Sequence, residues 1–255
     1  MRNPENVLNS LRKHSTEKDY VYTRLYRNLF NEQLFLQAYQ NIYANAGNMT
    51  VGTDGKTIDA MRIERINRII NSIKTESYQP QPVRRVYIPK KNGKLRALGI
   101  PSIDDKLVQE VLKMILESIY ENSFEDNSHG FRQNKSCHTA LRHVQNRFTR
   151  CKWFIEGDIK SFFDNIEHEI LINILRQKIE DERFLNLIRK FLNTGYMETD
   201  KLYHNYSGTP QGGLCRARHN VYLVIRRYYQ PSVIVVNFIL PLEDQFTQNY
   251  LHSYD

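Results

Sequence analysis

The sequence WFIEGDIKSFFDN, residues 153–165, contains an apolar run of strand length that ends at Asp158. Two aromatic residues and a second carboxylate, Asp164, follow directly. A strand that presents a carboxylate at its C-terminal end can hold a divalent metal ion against a phosphate-bearing substrate. The same position also suits an ordinary cap, because Asp side chains accept hydrogen bonds from free backbone N–H groups. Taken alone, these residues leave both interpretations open.

The composition indicates a basic chain that can form its own core. With 255 residues it can fold as one large domain or two small ones. Lys and Arg number 36 against 28 Asp and Glu, which gives a formal net charge of +8. This excess favours a polyanionic partner, with nucleic acid as the first candidate, although a basic chain can also be merely soluble. The 16 Tyr and 12 Phe residues supply rings able to stack on bases.

Cysteine usage and hydropathy indicate the compartment. Cys137, Cys151 and Cys215 are irregularly spaced and form no C-x-x-C pair, which argues against zinc or redox work and suits a reducing environment. The first residues are polar, and no stretch approaches the roughly 20 apolar residues that span a bilayer. We therefore expect a cytoplasmic protein with no membrane partner.

Hydrophobic spacing predicts a mainly helical first half. Residues 1–19 are polar and are expected to form a loose basic arm. Two helices are predicted within residues 20–42, joined near Asn31, followed by a turn-rich loop at 47–57 and a helix through 58–73. A further helix is predicted from Asp104 to Ile119, and Ser136 is expected to cap a helix that starts near Thr139.

The segment 83–101 is predicted to be a basic hairpin. Two short strands flank Lys91-Asn92-Gly93-Lys94, and Asn-Gly between such runs is a strong hairpin signal. Like charges on so short a ribbon repel each other, and a bound phosphate backbone would relieve that repulsion. We therefore predict phosphate contacts for its cations, which are Arg84, Arg85, Lys90, Lys91, Lys94 and Arg96, with Lys106 just beyond.

The remaining elements surround residues 153–165. Helices are predicted through residues 166–179 and 184–192, both packed against the sheet that carries Asp158. A short strand at 203–207 and a stiff glycine-proline corner at 208–213 should follow.

Six short motifs occur in order along the chain. They are GTDG (52–55), PVRRVYIPKK (82–91), LGIP (98–101), SHGFR (128–132), DIKSFFD (158–164) and GTPQGG (208–213). Together, in this order, they resemble a reverse transcriptase, specifically the bacterial group II intron type that also serves as a maturase. The resemblance spans residues 20–213 and implies an α+β fold of the right-hand polymerase type. It implies mainly helical fingers with the basic hairpin at 20–150, and an incomplete palm with a small antiparallel sheet at 151–213.

The resemblance also implies roles for single residues. Asp158 resembles the first catalytic, metal-binding carboxylate of the palm, and the Ile159 carbonyl would bind the same magnesium ion. Phe163 resembles the bulky gate that rejects a 2′-hydroxyl, and Gln211 resembles the glutamine beside the nucleotide and primer end. Lys90 or Lys91, with Arg96, resembles the clamp on the incoming triphosphate. RNA contacts are expected from Arg84, Arg85, Lys94, Lys106 and Arg132.

These roles imply a cofactor and partners. Mg2+ is the expected cofactor, and the expected partners are group II intron RNA, an RNA template with a DNA primer, and dNTP. The resemblance also allows a homodimer. Asp164 does not fit as a metal ligand, so we expect it to cap or bond locally.

The sequence departs from the family in two mild ways and one severe way. Ala97 replaces a usual proline, and Gln133 and Lys135 replace a usual Pro and Arg. After Gly213 no Tyr-x-Asp-Asp motif occurs anywhere, and residues 214–255 look foreign to the family. Their β-prone run at 232–240 carries no charge, which favours a frameshifted tail over a new functional element.

Three functional hypotheses follow from these departures. The first is a fragment of an RNA-directed DNA polymerase that is inactive alone, since one palm carboxylate cannot hold two magnesium ions. The second is an RNA-binding splicing module without polymerase activity. The third is a decayed, inactive reading frame.

Overall fold

A computed structural model describes residues 2–45, 47–89, 93–130, 132–149, 165–204 and 208. The chain forms two compact units: among these residues, 2–123 and 165–208 belong to the first and 124–149 to the second. The predicted palm strand with Asp158 and the predicted divergent tail lie outside the described residues.

Helices dominate the first unit. One helix, α5 (Cys137–Arg147), belongs to the second unit. Short 3-10 helices cover Tyr26–Phe30, Ile58–Ala60 and Glu121–Ser123. No helix in the described ranges is both long and apolar enough to cross a bilayer. The α-helices are α1 (Pro4–His14), α2 (Glu32–Tyr43), α3 (Ile63–Lys74), α4 (Ile103–Tyr120), α5 (Cys137–Arg147), α6 (His168–Arg176) and α7 (Glu182–Leu192).

Helix α4 lies at the centre of the first unit. Its predicted apolar stripe is confirmed, because Leu107, Val111 and Ile115 are fully buried. Helices α1 and α2 pack against α4, and burial on this scale supplies most of a helix's stability. Ser102 caps its first turn by accepting a hydrogen bond from the Asp105 N–H.

Two N-terminal predictions were wrong. Residues 4–14 form a helix rather than a loose arm: the Asn3 side chain caps its start, and the Tyr22 hydroxyl donates to the Leu11 carbonyl at 2.7 Å. None of the α1 side chains is buried. A helix without a buried face needs no regular pattern of apolar residues, so the sequence does not reveal it. Residues 26–30 form a 3-10 helix rather than the first of two α-helices.

The predicted hairpin is confirmed and extends into a larger sheet. Strands β1 (Val83–Pro89) and β2 (Leu95–Ile100) pair antiparallel, with Arg85 opposite Gly99 and Ile88 opposite Arg96. Two short strands, β3 (Tyr196–Glu198) and β4 (Lys201–Tyr203), complete the order β2-β1-β3-β4. Pairing of β1 with β3 is parallel, so the sheet is mixed rather than antiparallel. The α+β class is confirmed, and β3 was not predicted.

The second unit contains the predicted Ser136 cap. Ser136 Oγ accepts from the Thr139 N–H, and the Thr139 hydroxyl oxygen accepts in turn from the Ser136 N–H. This reciprocal arrangement is a capping box, which satisfies two donors at the start of α5.

Candidate nucleic-acid interface

Among the predicted site residues, the structure describes only cations. Arg96 lies on β2 and Lys94 just before it, and both are exposed. Carboxylate and carbonyl oxygens suit magnesium, but within the described ranges no three His, Cys, Asp or Glu side chains group as metal ligands. The other predicted catalytic and nucleotide-binding residues lie outside the described residues; they are Asp158, Ile159, Phe163, Gln211, Lys90 and Lys91.

Arg84 and Arg85 point to opposite faces of β1, as neighbouring strand residues do. Arg84 donates two hydrogen bonds to the Val51 carbonyl, at 3.1 and 2.9 Å. The Arg85 guanidinium lies 3.2 Å from the ring centroid of Tyr196, and its Nη1 lies 4.0 Å from Glu198. Arg84 therefore holds the sheet to the loop that contains Val51, and Arg85 links β1 to β3. An RNA phosphate would have to share these side chains with their present partners.

Lys106 and Arg132, also predicted to contact RNA, have internal partners as well. Lys106 Nζ donates to the Thr50 carbonyl at 2.6 Å, and burial lowers the pKa of its amine. In the second unit Arg132 donates to the Glu125 and Ser128 carbonyls at 3.0 and 2.9 Å. Their roles in RNA binding stay predictions, and Lys94 and Arg96 are the more accessible cations.

The GTDG loop is held in place by Gly52. A Cβ on this residue would lie 2.4 Å from the Pro101 carbonyl oxygen and 2.7 Å from Ser102 Cα. The Thr53 hydroxyl donates to the Pro82 carbonyl at 3.0 Å. Three of the sequence motifs, GTDG, PVRRVYIPKK and LGIP, therefore meet at the base of the hairpin.

An ion-pair cluster fixes the same loop to two helices. Arg65 on α3 donates from Nε to Asp104 at 2.5 Å and from Nη2 to Asp54 at 3.2 Å. Arg65 is only 9% exposed, so this pairing compensates the cost of burying its charge. Sequence reasoning missed the cluster because its partners are far apart in the chain.

A buried carboxylate connects α4 to the chain entering β1. Asp105 accepts from the hydroxyls of Tyr78 at 2.7 Å and Ser102 at 2.6 Å, and from the Gln81 N–H at 3.0 Å. Burial raises the pKa of Asp105 to about 6, against the lowering effect of these hydrogen bonds.

The start of the GTPQGG motif is anchored by a histidine that sequence reasoning missed. His168, 7% exposed, donates from Nε2 to the Gly208 carbonyl at 2.7 Å. Its Nδ1 lies 2.9 Å from the Asn193 side-chain oxygen, and the Gly208 N–H donates to the Ile166 carbonyl at 2.8 Å. In the sequence, the sign of this anchoring role is a histidine at the start of a helix face that is otherwise apolar.

Comparison with known proteins agrees with these motifs. The family described as reverse transcriptase (RNA-dependent DNA polymerase) matches residues 88–215, which contain the end of β1, the whole of β2 and the GTPQGG corner. A solved structure, the partial Cas6-RT-Cas1–Cas2 complex, is 18% identical, with a TM-score of 0.49 over 80% of this chain and 34% of that one.

Three relatives are similar over most of the chain. The group II intron-encoded protein LtrA of Lactococcus lactis is 50% identical over 85% of this chain and 37% of its own length. A 91 kDa protein in the cob intron of Schizosaccharomyces pombe is 41% identical over 100% of this chain and 30% of its own. The YkfC protein of Escherichia coli is 36% identical over 78% of this chain and 55% of its own.

The chain thus spans about a third of the length of the first two relatives. Because the family match covers half of the chain and follows the observed motifs, the chain belongs to the reverse transcriptase family, in its group II intron-encoded branch.

Proposed function

We propose that this chain forms the fingers and part of the palm of a group II intron reverse transcriptase. In this role it binds intron RNA and an RNA template with its DNA primer. The observation that carries the proposal is the base of the hairpin. At this base, Gly52, Arg65 and Asp105 fix three of the motifs in place. The hairpin extends from the base and carries the exposed cations Lys94 and Arg96. A rigid, basic ribbon of this kind suits a phosphate backbone.

The proposed nucleotide site lies toward the turn of the hairpin. Lys90 or Lys91 and Arg96 would neutralise and orient the incoming triphosphate, Phe163 would exclude a 2′-hydroxyl, and Gln211 would lie beside the primer end. The family indicates a divalent metal requirement, and we propose magnesium, held by Asp158 and the Ile159 carbonyl. Bound there, magnesium would stabilise the charge that develops on the phosphoryl group.

We further propose that this chain does not polymerise by itself. Its 255 residues contain no Tyr-x-Asp-Asp motif, so the family's remaining metal carboxylates are not present in this sequence. Loss of a metal ion's main ligands lowers the rate by on the order of a thousandfold or more. The alternative function, an RNA-binding splicing module, would require the same RNA binding without nucleotide incorporation.

RNA binding tests the proposal. We expect the wild-type chain to bind a structured group II intron RNA in a salt-sensitive manner, measured by filter binding between 50 and 300 mM KCl. Lys94→Gln with Arg96→Gln should make the slope of log K against log salt less steep by about 1.5, because each lost phosphate contact contributes about 0.7–0.9. Equal affinity and slope in the variant and the wild type would contradict the proposed grip.

A matched control uses two cations away from the hairpin. Arg62 precedes α3 and Lys74 ends it, and both are exposed. Arg62→Gln with Lys74→Gln removes the same charge from residues outside the hairpin, so it measures the effect of the lower net charge alone. This control should bind the RNA as the wild type does.

A further inference from the structure

A pocket of about 220 Å3 lies beside α3, between the loop that precedes this helix and the start of α4. Its charged lining consists of three cations, Lys56, Arg65 and Arg68, and one carboxylate, Asp104. The pocket therefore carries a positive excess. None of the sequence motifs assigned a ligand to it.

Arg65 gives the pocket a fixed floor. This side chain is 9% exposed and is held between Asp54 and Asp104 on two different segments. Since both carboxylates are bonded to Arg65, they are oriented toward it. A side chain fixed in this way costs little further entropy when a ligand arrives.

Lys56 and Arg68 differ from Arg65 because both are exposed. Neither side chain makes a hydrogen bond or ion pair in the part of the chain that the structure describes, although the Lys56 backbone N–H donates to Asp54 at 3.3 Å. Asp54 and Asp104 neutralise Arg65, so the positive charge open to an anion is that of Lys56 and Arg68. The Arg68 guanidinium offers a planar fork of donors and the Lys56 ammonium a compact charge, and both recognise phosphate oxygens.

The lining also indicates which anion fits. The volume is below the roughly 300–1,000 Å3 of sites that enclose a drug-sized ligand, so it suits a phosphate group with part of a sugar. Tyr78 is the aromatic residue of the lining, but it is 8% exposed and its hydroxyl is bonded to Asp105. A base would therefore find no open ring to stack on, which disfavours a free nucleotide.

We infer that this pocket binds one phosphate group of an RNA backbone, at a position separate from the hairpin. The inference rests on the proposed function, because it takes RNA as the polyanion that the chain holds. It adds a second phosphate contact, through Lys56 and Arg68, on the α3 side of the GTDG loop.

The test compares Lys56→Gln with Arg68→Gln against the matched control Arg62→Gln with Lys74→Gln. The control residues lie next to or on α3 and do not line the pocket. Filter binding to the structured intron RNA at 0.1 M KCl should show about tenfold weaker binding for the pocket variant, as expected for two lost ion pairs. Its salt slope should fall by about 0.7–0.9, the value for one phosphate, and the control should match the wild type.

A second measurement on the wild-type chain does not depend on any variant folding. Modification of Arg68 by phenylglyoxal, followed by mass spectrometry, should slow at least fivefold when the RNA is bound. Protection by inorganic phosphate but not by RNA would overturn the assignment to an RNA backbone. Unchanged Arg68 reactivity with bound RNA would overturn the pocket contact altogether.

The outcomes separate the inference from the proposed function. If the wild-type chain fails to bind RNA, the proposed function is wrong and the inference fails with it. If the wild type binds and the pocket variant has the same affinity and salt slope, only the inference is wrong.

Discussion

Two charged regions of the first unit use their charges differently. On the hairpin, Lys94 and Arg96 are exposed close to the turn. At its base, Arg65 and Asp105 are 9% and 2% exposed, and each is bonded to partners from distant parts of the chain. Buried charges need such partners, whereas exposed ones can exchange water for a ligand. The base therefore fixes the backbone, and we propose that the exposed end contacts RNA.

The largest expected effect concerns the backbone contact at the base. Gly52→Ala places a Cβ 2.4 Å from the Pro101 carbonyl oxygen, which is backbone and cannot rotate away. We expect a loss of about 3 kcal/mol in the free energy of unfolding, measured by urea denaturation. Gly55→Ala is the control: its φ of +64° is unfavourable but the space is open, so about 1 kcal/mol should be lost. Equal losses would contradict the close packing at Gly52.

The second effect concerns the buried ion pairs. Arg65→Met leaves Asp54 and Asp104 without their shared partner. We expect a loss of about 2 kcal/mol, below the value for a fully buried pair because the Asp104 side chain is 34% exposed. Arg189→Met breaks the more exposed pair with Glu169 and should cost much less in the same urea experiment. A similar cost for both would contradict the larger contribution of the buried ion pairs.

The third effect concerns pH. Because burial raises the pKa of Asp105 to about 6, the native state keeps a proton that the unfolded chain releases from about pH 4 upward. The native state then binds more protons, so this group makes the free energy of unfolding fall as pH rises from about 4 to 6. The fall should be about 1 kcal/mol per pH unit near pH 5. Chemical denaturation at several pH values should show that Asp105→Asn lacks this contribution, and an unchanged pH slope would contradict the raised pKa.

Local sequence signals predicted a large part of this fold. The strand pairing of the hairpin, the apolar stripe of α4 and the Ser136 cap follow from signals that act over a few residues, and all three were confirmed. Helix α1 was missed because none of its side chains is buried, and β3 because three residues carry little periodic signal.

The residues that assemble the site could not be predicted in the same way. Arg65 lies 39 residues from Asp104, and the backbone N–H of Tyr26 donates to Asp181 across 155 residues. Such pairs depend on which elements pack together, which spacing along the chain does not reveal. The motifs GTDG and LGIP do lie together at the base of the hairpin, whereas the position of the catalytic residues stays a prediction.

A nucleotide-incorporation assay tests directly whether this chain binds RNA without polymerising by itself. The wild-type chain and Asp158→Ala would each be given a structured RNA template with an annealed DNA primer, dNTP and magnesium, with a known reverse transcriptase as the positive control. The account predicts RNA binding by both chains and no extended primer from either. Magnesium-dependent extension by the wild type that is lost in Asp158→Ala would contradict it.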